Sequence, residues 1–147
     1  MKILIAVDDS RFSQAATDFV RRFPWPADAE MLVLSVAQPV MVSYAVADVP
    51  AMSYTPELAE EATRHHQQVA ERYEAQVRGP GIRTRSLVVR GDPREAIVNV
   101  AKDHGVDLVV VGSHGRSGLS KLIMGSVASH VVTHAPCGVL VVKLAQH

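Results

Sequence analysis

Residues 3–10 read ILIAVDDS, five consecutive apolar residues followed by three polar ones. A short apolar run without polar alternation is typical of a strand that is buried on both faces, as in a parallel sheet. After Ser10, a favourable N-cap, apolar residues recur at helical spacing as far as Phe23, and Pro24 and Pro26 end the segment. The N-terminal segment therefore predicts a β-strand followed by an amphipathic α-helix.

Strand and helix alternate along the rest of the chain. Helices are predicted to begin at Pro56, at Ser126 and at residues 92–95, where an aspartate N-cap is followed by a first-turn proline and the capping carboxylate of Glu95. Apolar runs predict four more strands, at residues 31–36, 82–89, 108–111 and 139–142. We therefore expect one α/β domain over residues 1–147, with a doubly wound, five-stranded parallel sheet in the flavodoxin-like order 3-2-1-4-5.

Residues 38–55 interrupt this alternation. The segment contains Tyr44 and Tyr54 but shows no clean hydrophobic periodicity. It predicts an irregular loop, which is either a lid over a ligand or a passive surface loop. Long irregular loops are more often functional than not.

Composition excludes several classes of protein. Lys+Arg and Asp+Glu total 15 each, so the formal net charge of +0 provides no overall field for a polyanion such as nucleic acid. No apolar run approaches the roughly 18 residues of a membrane span, and the apolar start is too short for a signal peptide. The lone Cys137 cannot form an intramolecular disulfide. We therefore expect a cytoplasmic protein with neither nucleic acid nor a membrane as its partner.

A glycine-rich loop follows the fourth predicted strand. Residues 112–118 read GSHGRSG, and Gly125 and Ser126 come next at the start of a helix. Glycine lets the backbone approach a bulky anion and adopt positive φ, while free N–H groups at a helix start attract phosphate. Ser126 adds a hydroxyl group and Arg116 a positive charge. The alternative is a flexible loop whose glycines only serve turns.

The position of this loop in the predicted sheet favours a ligand site. Ligands on doubly wound sheets bind beyond the carboxyl ends of the strands, so the loops after Val7, Val36 and Val111 are the candidates. The loop is neither a Walker A motif nor a G-x-G-x-x-G motif. A carboxylate at the end of the first strand, such as Asp8, would face the same crevice.

The spacing Gly112-x2-Gly115-x9-Gly125-Ser126 resembles the ATP-binding signature G-x2-G-x9-G-(S/T) of the universal stress protein family. The resemblance extends over nearly the whole chain, through residues 3–10, 91–93, 107–118 and 125–142. It implies a Rossmann-like, adenine-nucleotide α-hydrolase-like fold. The chain departs from the family at Asp9, where glycine is frequent, and at Gly138, where proline is usual.

The resemblance also implies a ligand, a set of contacts and an assembly. The ligand is ATP or ADP with Mg²⁺ or Mn²⁺, the metal being held by the phosphates with at most Asp8 nearby, so that no permanent metal site is expected. Asp8 would lie by the nucleoside, and Ala6 and Val36 around adenine and ribose. The phosphates would be held by Gly112, Ser113, His114, Gly115, Arg116, Ser117, Gly118, Gly125, Ser126 and Val127. A homodimer would form by antiparallel pairing of Val139 to Val142 across a twofold axis.

Two functions are compatible with this site. The first is a regulatory nucleotide-binding protein of stress physiology with slow or no hydrolysis, because residues 112–126 contain no carboxylate that could orient an attacking water. The second is a weak ATPase or a nucleotidyl-transfer enzyme on the same fold.

The histidines have alternative interpretations. His130 and His134 have the i, i+4 spacing of a metal pair but lack the glutamate of the zinc-protease helix, so a solvated helix edge is favoured. The same is expected of His104 and of residues 65–66, which lie on the helix whose apolar face comprises Leu58, Ala62, Val69, Tyr73 and Val77. His114 either contacts phosphate or points to solvent. Cys137 is expected to be an ordinary packing residue.

Overall fold

The structure, a computed structural model, describes residues 1–39, 43–46, 49–52, 55–116 and 123–145. Its strands are β1 (Lys2–Val7), β2 (Glu30–Ala37), β3 (Ser43–Val46), β4 (Val49–Met52), β5 (Arg83–Arg90), β6 (Leu108–Gly112) and β7 (Gly138–Val142). Five of them form one parallel sheet in the order β5-β2-β1-β6-β7. The predicted α/β class, the parallel sheet and the order 3-2-1-4-5 of its five strands are confirmed.

Four helices cover the two faces of this sheet. They are α1 (Arg11–Arg22), α2 (Pro56–Val77), α3 (Pro93–Asp103) and α4 (Ser126–His134). The first two pack on one face and the last two on the other, and each pair closes a separate apolar core. This arrangement is the doubly wound fold that the alternation of strand and helix predicts.

The apolar run of β1 is explained by burial on both of these faces. Ile3, Ile5 and Val7 belong to the core under α1 and α2, whereas Leu4 and Ala6 face the core under α3 and α4. Ile3, Leu4 and Ile5 are fully buried. Burying one such side chain contributes about 1.5–3 kcal/mol, so no position in the centre of β1 tolerates a polar residue without a large loss of stability.

The N-caps predicted at Ser10 and Asp92 are confirmed, but the capping role predicted for Glu95 is wrong. The Ser10 side chain accepts a hydrogen bond from the backbone N–H of Ser13, and the Asp92 side chain accepts one from the N–H of Arg94. The Glu95 carboxylate does not serve as a cap, because its Oε1 atom lies 3.2 Å from His130 Nε2. Residue 95 therefore joins α3 to α4 instead of closing the first turn of α3.

The prediction of an irregular loop at residues 38–55 is wrong for two short segments, which form β3 and β4. β3 and β4 pair antiparallel in a separate two-stranded sheet, with Pro50 opposite Ala45. Both strands of a two-stranded sheet are edge strands, where a proline costs no inner ladder hydrogen bond. Pro50 is therefore compatible with a strand at this position. Tyr54 lies outside the described residues, and a lid function for the segment stays a prediction.

None of the helices in the described part of the chain is long and apolar enough to cross a membrane. The longest of them, α2, has Thr55 as its N-cap. It carries charged residues along its length and buries one side against the sheet.

Gly112 at the end of β6 leaves no room for a side chain. A Cβ atom there would lie 2.8 Å from the Phe12 Cβ atom and 2.9 Å from the Phe12 carbonyl carbon and oxygen. We predict that Gly112→Ala lowers the free energy of unfolding by about 1–3 kcal/mol, because the first turn of α1 must move away from the sheet. Urea denaturation measures the loss.

The matched control for this substitution is Gly138→Ala. A Cβ atom at Gly138 would approach nothing closer than the Leu108 Cδ1 atom at 3.5 Å, which is ordinary van der Waals contact. Its unfolding free energy should stay close to that of the wild type. Equal stabilities of the two alanine variants would contradict the steric explanation.

Candidate functional site

A cavity of about 540 Å³ opens where β1, β2 and β6 end, in the size range of sites for small-molecule ligands. The strand register brings these ends together, because Ala6 pairs with Leu34 of β2 on one side and with Val111 of β6 on the other. Side chains from α1, α2 and α3 and the N-terminal turn of α4 complete the walls.

The cavity unites most of the residues that were predicted for the site. Its wall includes Ala6, Asp8, Val36, Gly112, His114, Gly115, Arg116, Gly125, Ser126 and Val127. Ser113 does not line it, and Ser117 and Gly118 lie outside the described residues. Their contact with a ligand stays a prediction.

Asp8 is held in a defined orientation at the cavity wall. The Ser13 hydroxyl accepts a hydrogen bond from the Asp8 backbone N–H and donates one to Asp8 Oδ1, each at 2.8 Å, and Ser10 N–H donates to the same oxygen at 3.0 Å. The second oxygen, Oδ2, faces Gly115, where a Cβ atom would lie only 2.9 Å away. One carboxylate oxygen is therefore committed to the turn, and the other faces the glycine loop.

The signature glycines are required for space and not for backbone conformation. In the described part of the chain, glycines with positive φ are Gly81, Gly91 and Gly105. The described glycines of the signature, Gly112, Gly115 and Gly125, do not use the positive φ that glycine permits. A Cβ atom at Gly125 would lie 3.1 Å from the Ser113 carbonyl oxygen and 3.1 Å from the His114 Cα atom. At Gly112 and Gly125 backbone atoms of a neighbouring segment occupy the place of a side chain, whereas at Gly115 the nearest atom is an oxygen of the Asp8 side chain.

Hydrogen bonds fasten the start of the glycine loop to β7 and join the two ends of the loop to each other. The Ser113 N–H donates to the Val142 carbonyl oxygen at 2.8 Å, and the Ser113 carbonyl oxygen accepts from the Gly125 N–H at 2.8 Å. The backbone of Ser113 is thus fully used inside the protein. Ser113 supports the loop from behind, which is why it does not line the cavity.

His114 holds the loop together through both nitrogens of its ring, and its contact with phosphate stays a prediction. Its Nε2 atom hydrogen-bonds to the Ile123 carbonyl oxygen and its Nδ1 atom to the Ser113 hydroxyl at 3.1 Å, while its ring lies against Phe12. Because a carbonyl oxygen can only accept, Nε2 carries the proton and Nδ1 accepts from the hydroxyl. His114 therefore bridges the two sides of the glycine loop.

The N-terminus of α4 is open to the cavity. The side chains of Ser10, Thr55 and Asp92 cap the other three helices, but the N-cap of α4 is Gly125, which has no side chain to accept a hydrogen bond. The first turn of α4 contains Ser126, Val127 and Ala128, and all three line the cavity. Unsatisfied N–H groups at a helix start attract an anion.

His66 is a site residue that the sequence analysis missed. It is only 6% exposed and lines the cavity, so the solvated helix edge predicted for it is wrong. The signal was its spacing, because His66 lies four residues after Ala62 and seven before Tyr73, on the same helix face. Its neighbour His65 is half exposed, as predicted.

Contacts with other side chains define the protonation of His66. Its Nδ1 atom lies 2.7 Å from the Ser35 hydroxyl and its Nε2 atom 3.3 Å from a terminal nitrogen of Arg116. Since a guanidinium can only donate, Nε2 is the acceptor and Nδ1 carries the proton. Burial, and after it the positive charge of Arg116, lower the pKa of His66 from its ordinary value of 6.5.

Arg116 is paired within the protein. Its Nε atom lies 2.9 Å from Asp9 Oδ1, and the other oxygen of Asp9 lies 3.4 Å from His65 Nε2. The residue at which the chain departs from the family's frequent glycine therefore binds the arginine of the glycine loop. These contacts connect the loop after β6 to the loop after β1 and to α2.

The remaining histidine pair forms a structural contact between helices. The rings of His130 and His134 stack with centroids 4.1 Å apart, and His134 Nδ1 donates to the His130 carbonyl oxygen. With Glu95 nearby, His130 joins α4 to α3. No group of three or more His, Cys, Asp or Glu residues in the described ranges could hold a metal ion.

The sequence model of the universal stress protein family matches residues 1–143. This chain belongs to the universal stress protein family. Universal stress protein YxiE of Bacillus subtilis is 30% identical to it over 147 residues, which cover 97% of this chain and 98% of that protein. Universal stress protein MJ0577 of Methanocaldococcus jannaschii is 28% identical, covering 97% of this chain and 94% of the relative.

Solved structures of universal stress proteins have the same fold. The structure of MJ0577 superimposes with a TM-score of 0.71 at 26% identity, covering 99% of this chain and 97% of that one. A universal stress protein family protein from Arabidopsis thaliana, solved with AMP bound, gives a TM-score of 0.67 at 19% identity and covers 99% and 92% of the two chains. At that identity the Arabidopsis structure demonstrates a shared fold and no more.

The buried, neutral state of His66 makes stability depend on pH. Its pKa is lowered in the folded protein, so below pH 6.5 the unfolded chain binds a proton there that the folded chain does not. The stability that this difference provides is complete above pH 6.5 and is lost as the pH falls towards the lowered pKa. We predict that His66→Gln, measured by urea denaturation from about pH 7 to about pH 5, loses less stability than the wild type.

The exposed His134 serves as the control. His134→Gln removes an exposed imidazole instead of a buried one, so it is the matched comparison for His66→Gln. Nearby Asp8, Asp9, His65 and Arg116 also act on His66, so the comparison is made between variants at identical ionic strength. The same slope in His66→Gln and in the wild type would contradict the assignment.

Proposed function

We propose that this universal stress protein is a regulatory nucleotide-binding module that holds ATP with Mg²⁺ in the cavity, with slow or no hydrolysis. The observation that carries the proposal is the uncapped N-terminus of α4, which opens into the cavity beside Gly115 and Gly125. Phosphate is the common anion that such a helix start accepts, because the N–H groups and the helix dipole act together.

The other end of the cavity suits an adenosine group. Leu34 and Val36 of β2 and Val111 of β6 provide apolar walls. Because β2 and β6 flank β1, these two strands are two strand spacings apart, or roughly 10 Å. That separation fits a ligand with an apolar, planar base at one end and phosphates at the other.

The choice of ATP depends on the glycine signature and on the family. The AMP-bound Arabidopsis protein is a case of this fold holding an adenine nucleotide, which supports the ligand class. The signature Gly112-x2-Gly115-x9-Gly125-Ser126 supports a phosphate chain in the loop. Mg²⁺ would be bound by phosphates and water, since it retains waters and takes few protein oxygens. A cytoplasmic location stays a prediction.

Slow or absent hydrolysis follows from the shortage of groups that could activate water. Among the described residues that line the cavity, Asp8 is the one carboxylate, and its Oδ1 atom accepts hydrogen bonds from Ser10 and Ser13. Residues 112–126 contain no Asp or Glu. A multiple-turnover assay that released phosphate at about 1 per second or faster would favour the alternative, an ATPase or nucleotidyl-transfer enzyme.

We predict that Gly115→Val abolishes ATP binding, because the side chain would enter the space between the loop and Asp8 Oδ2. Arg116→Ala should weaken binding by only about 1–2 kcal/mol, the scale of one charge-assisted hydrogen bond. Thermal stabilisation by millimolar Mg·ATP reports binding, because a ligand of the native state raises stability by RT ln(1 + [L]/Kd). The melting curve of the ligand-free variant shows whether Gly115→Val is folded.

Gly138→Ala, which alters a glycine away from the cavity, is the control and should respond to Mg·ATP as the wild type does. A wild-type protein whose melting temperature does not shift with Mg·ATP would overturn the proposed function. A full shift in Gly115→Val would place the nucleotide elsewhere.

We also propose that the protein is a homodimer joined through β7. This strand forms one edge of the main sheet, and Val139, Leu140 and Val141 are only partly buried. An apolar edge strand pairs readily with a second copy, and twofold dimers are the commonest assembly. Sedimentation equilibrium at micromolar protein should therefore give twice the chain mass of 15.9 kDa. A monomer throughout that range would contradict the pairing.

A further inference from the structure

The guanidinium of Arg116 is held by two groups that come from different parts of the fold. Asp9, in the loop after β1, binds its Nε atom at 2.9 Å, and His66 of α2 lies 3.3 Å from one of its terminal nitrogens. His66 Nδ1 carries the proton and donates a hydrogen bond to the Ser35 hydroxyl. Nε2 is therefore the acceptor for the arginine. Arg116 is thus oriented by a carboxylate and a neutral imidazole at the cavity mouth.

Asp9 changes the charge that a phosphate chain would meet there. Among the described residues that line the cavity, Arg116 is the one lysine or arginine and Asp8 the one carboxylate. Asp9 is not part of the wall but is bound directly to Arg116. Asp9 therefore offsets the positive charge of Arg116. Asp8, Asp9 and Arg116 together carry one net negative charge.

Asp9 weakens the binding of an anionic ligand in two ways. The carboxylate repels the phosphates, and it competes with them for the guanidinium. The pair is partly exposed, with 54% of the Arg116 side chain and 36% of the Asp9 side chain accessible, so it is weak enough for a ligand to exchange. Both effects grow with the number of charges on the ligand and vanish for an uncharged nucleoside.

We propose that Asp9 is a specificity-determining residue of this site, which sets the preference among adenine nucleotides by the charge of their phosphate chain. By pairing with Arg116, it weakens the binding of ATP more than that of AMP and leaves adenosine unaffected. This inference rests on the proposed function, because it assumes that the phosphates lie at the glycine loop. It adds a discrimination between ligands that share the same base and sugar.

The test uses the full chain with Asp9→Asn, which keeps the shape of the side chain and removes its charge. Titration calorimetry measures the Kd of adenosine, AMP, ADP and ATP without Mg²⁺ at constant low ionic strength, where surface charges are least screened. Mg²⁺ is left out because its charge would offset that of the phosphates and bring the ATP complex close to the charge of AMP. ATP affinity should rise about two- to fivefold, the scale of one partly exposed charge pair, with a smaller gain for AMP and none for adenosine. The ratio of ATP to adenosine affinity is therefore the diagnostic quantity.

The matched control is Asp18→Asn. Asp18 is also an exposed aspartate in an ion pair, with Arg21 of the same helix, and it does not line the cavity. The substitution changes the net charge of the protein by the same amount, so it should leave all four Kd values unchanged. The double variant Asp9→Asn, Arg116→Ala tests the competition for the guanidinium. The gain in ATP affinity that Asp9→Asn causes should be smaller when Arg116 is replaced than when it is present, because Asp9 then has no guanidinium to compete for.

The possible results separate the two proposals. If the wild type binds neither these four compounds nor Mg·ATP, the proposed function fails and this inference fails with it. If the wild type binds ATP but Asp9→Asn leaves the ratio of ATP to adenosine affinity unchanged, or lowers it, only the inference is overturned. A gain of equal size in Asp18→Asn would assign the effect to net charge and would also overturn it.

Discussion

The rest of the structure depends on the burial of β1 on both faces between two parallel neighbours. Ile3 and Ile5 pack under one pair of helices and Leu4 under the other, while β2 and β6 take up the hydrogen bonds on either side. Parallel pairing makes the carboxyl ends of all three strands point the same way. The first residues after these strands are therefore forced into one small volume, although about 70 residues of chain separate β2 from β6.

Close packing gives this volume its shape. Gly112 lets the first turn of α1 lie directly on the end of β6, and Gly125 lets α4 begin against the backbone of Ser113. The backbone bonds of Ser113 then tie the start of α4 to β7 through Val142. An uncapped helix start, which would be a loss of stability elsewhere, is kept here at the wall of a cavity.

Polar side chains arranged around the cavity link the elements that form it. The Ser13 hydroxyl fixes the Asp8 carboxylate, which brings the start of α1 into the site. Arg116 connects three parts of the fold through Asp9 and His66. The charge of Arg116 is thus paired within the protein, so a charged ligand would have to exchange contacts that already exist. In the proposed site, selectivity would then depend on a residue that does not line the cavity, Asp9.

The sequence by itself determined the fold class and the location of the cavity, because both depend on local patterns, and the strand order followed from the fold type that these patterns indicate. A five-residue apolar run, the N-caps at Ser10 and Asp92 and the glycine signature are each visible within a few residues. The hairpin of β3 and β4 was missed because its two four-residue strands show no clear alternation and one contains Pro50.

Only the tertiary structure decided which side chains meet. His66 and Ser35 are 31 residues apart, and His66 and Arg116 are 50 apart, so no local pattern could pair them. The role of Gly112 likewise depends on the backbone of Phe12, a hundred residues earlier. Periodicity predicts how a segment folds and which side is buried, whereas contacts between segments depend on how the helices are placed on the sheet. Those contacts determine the charge and the available space of the site.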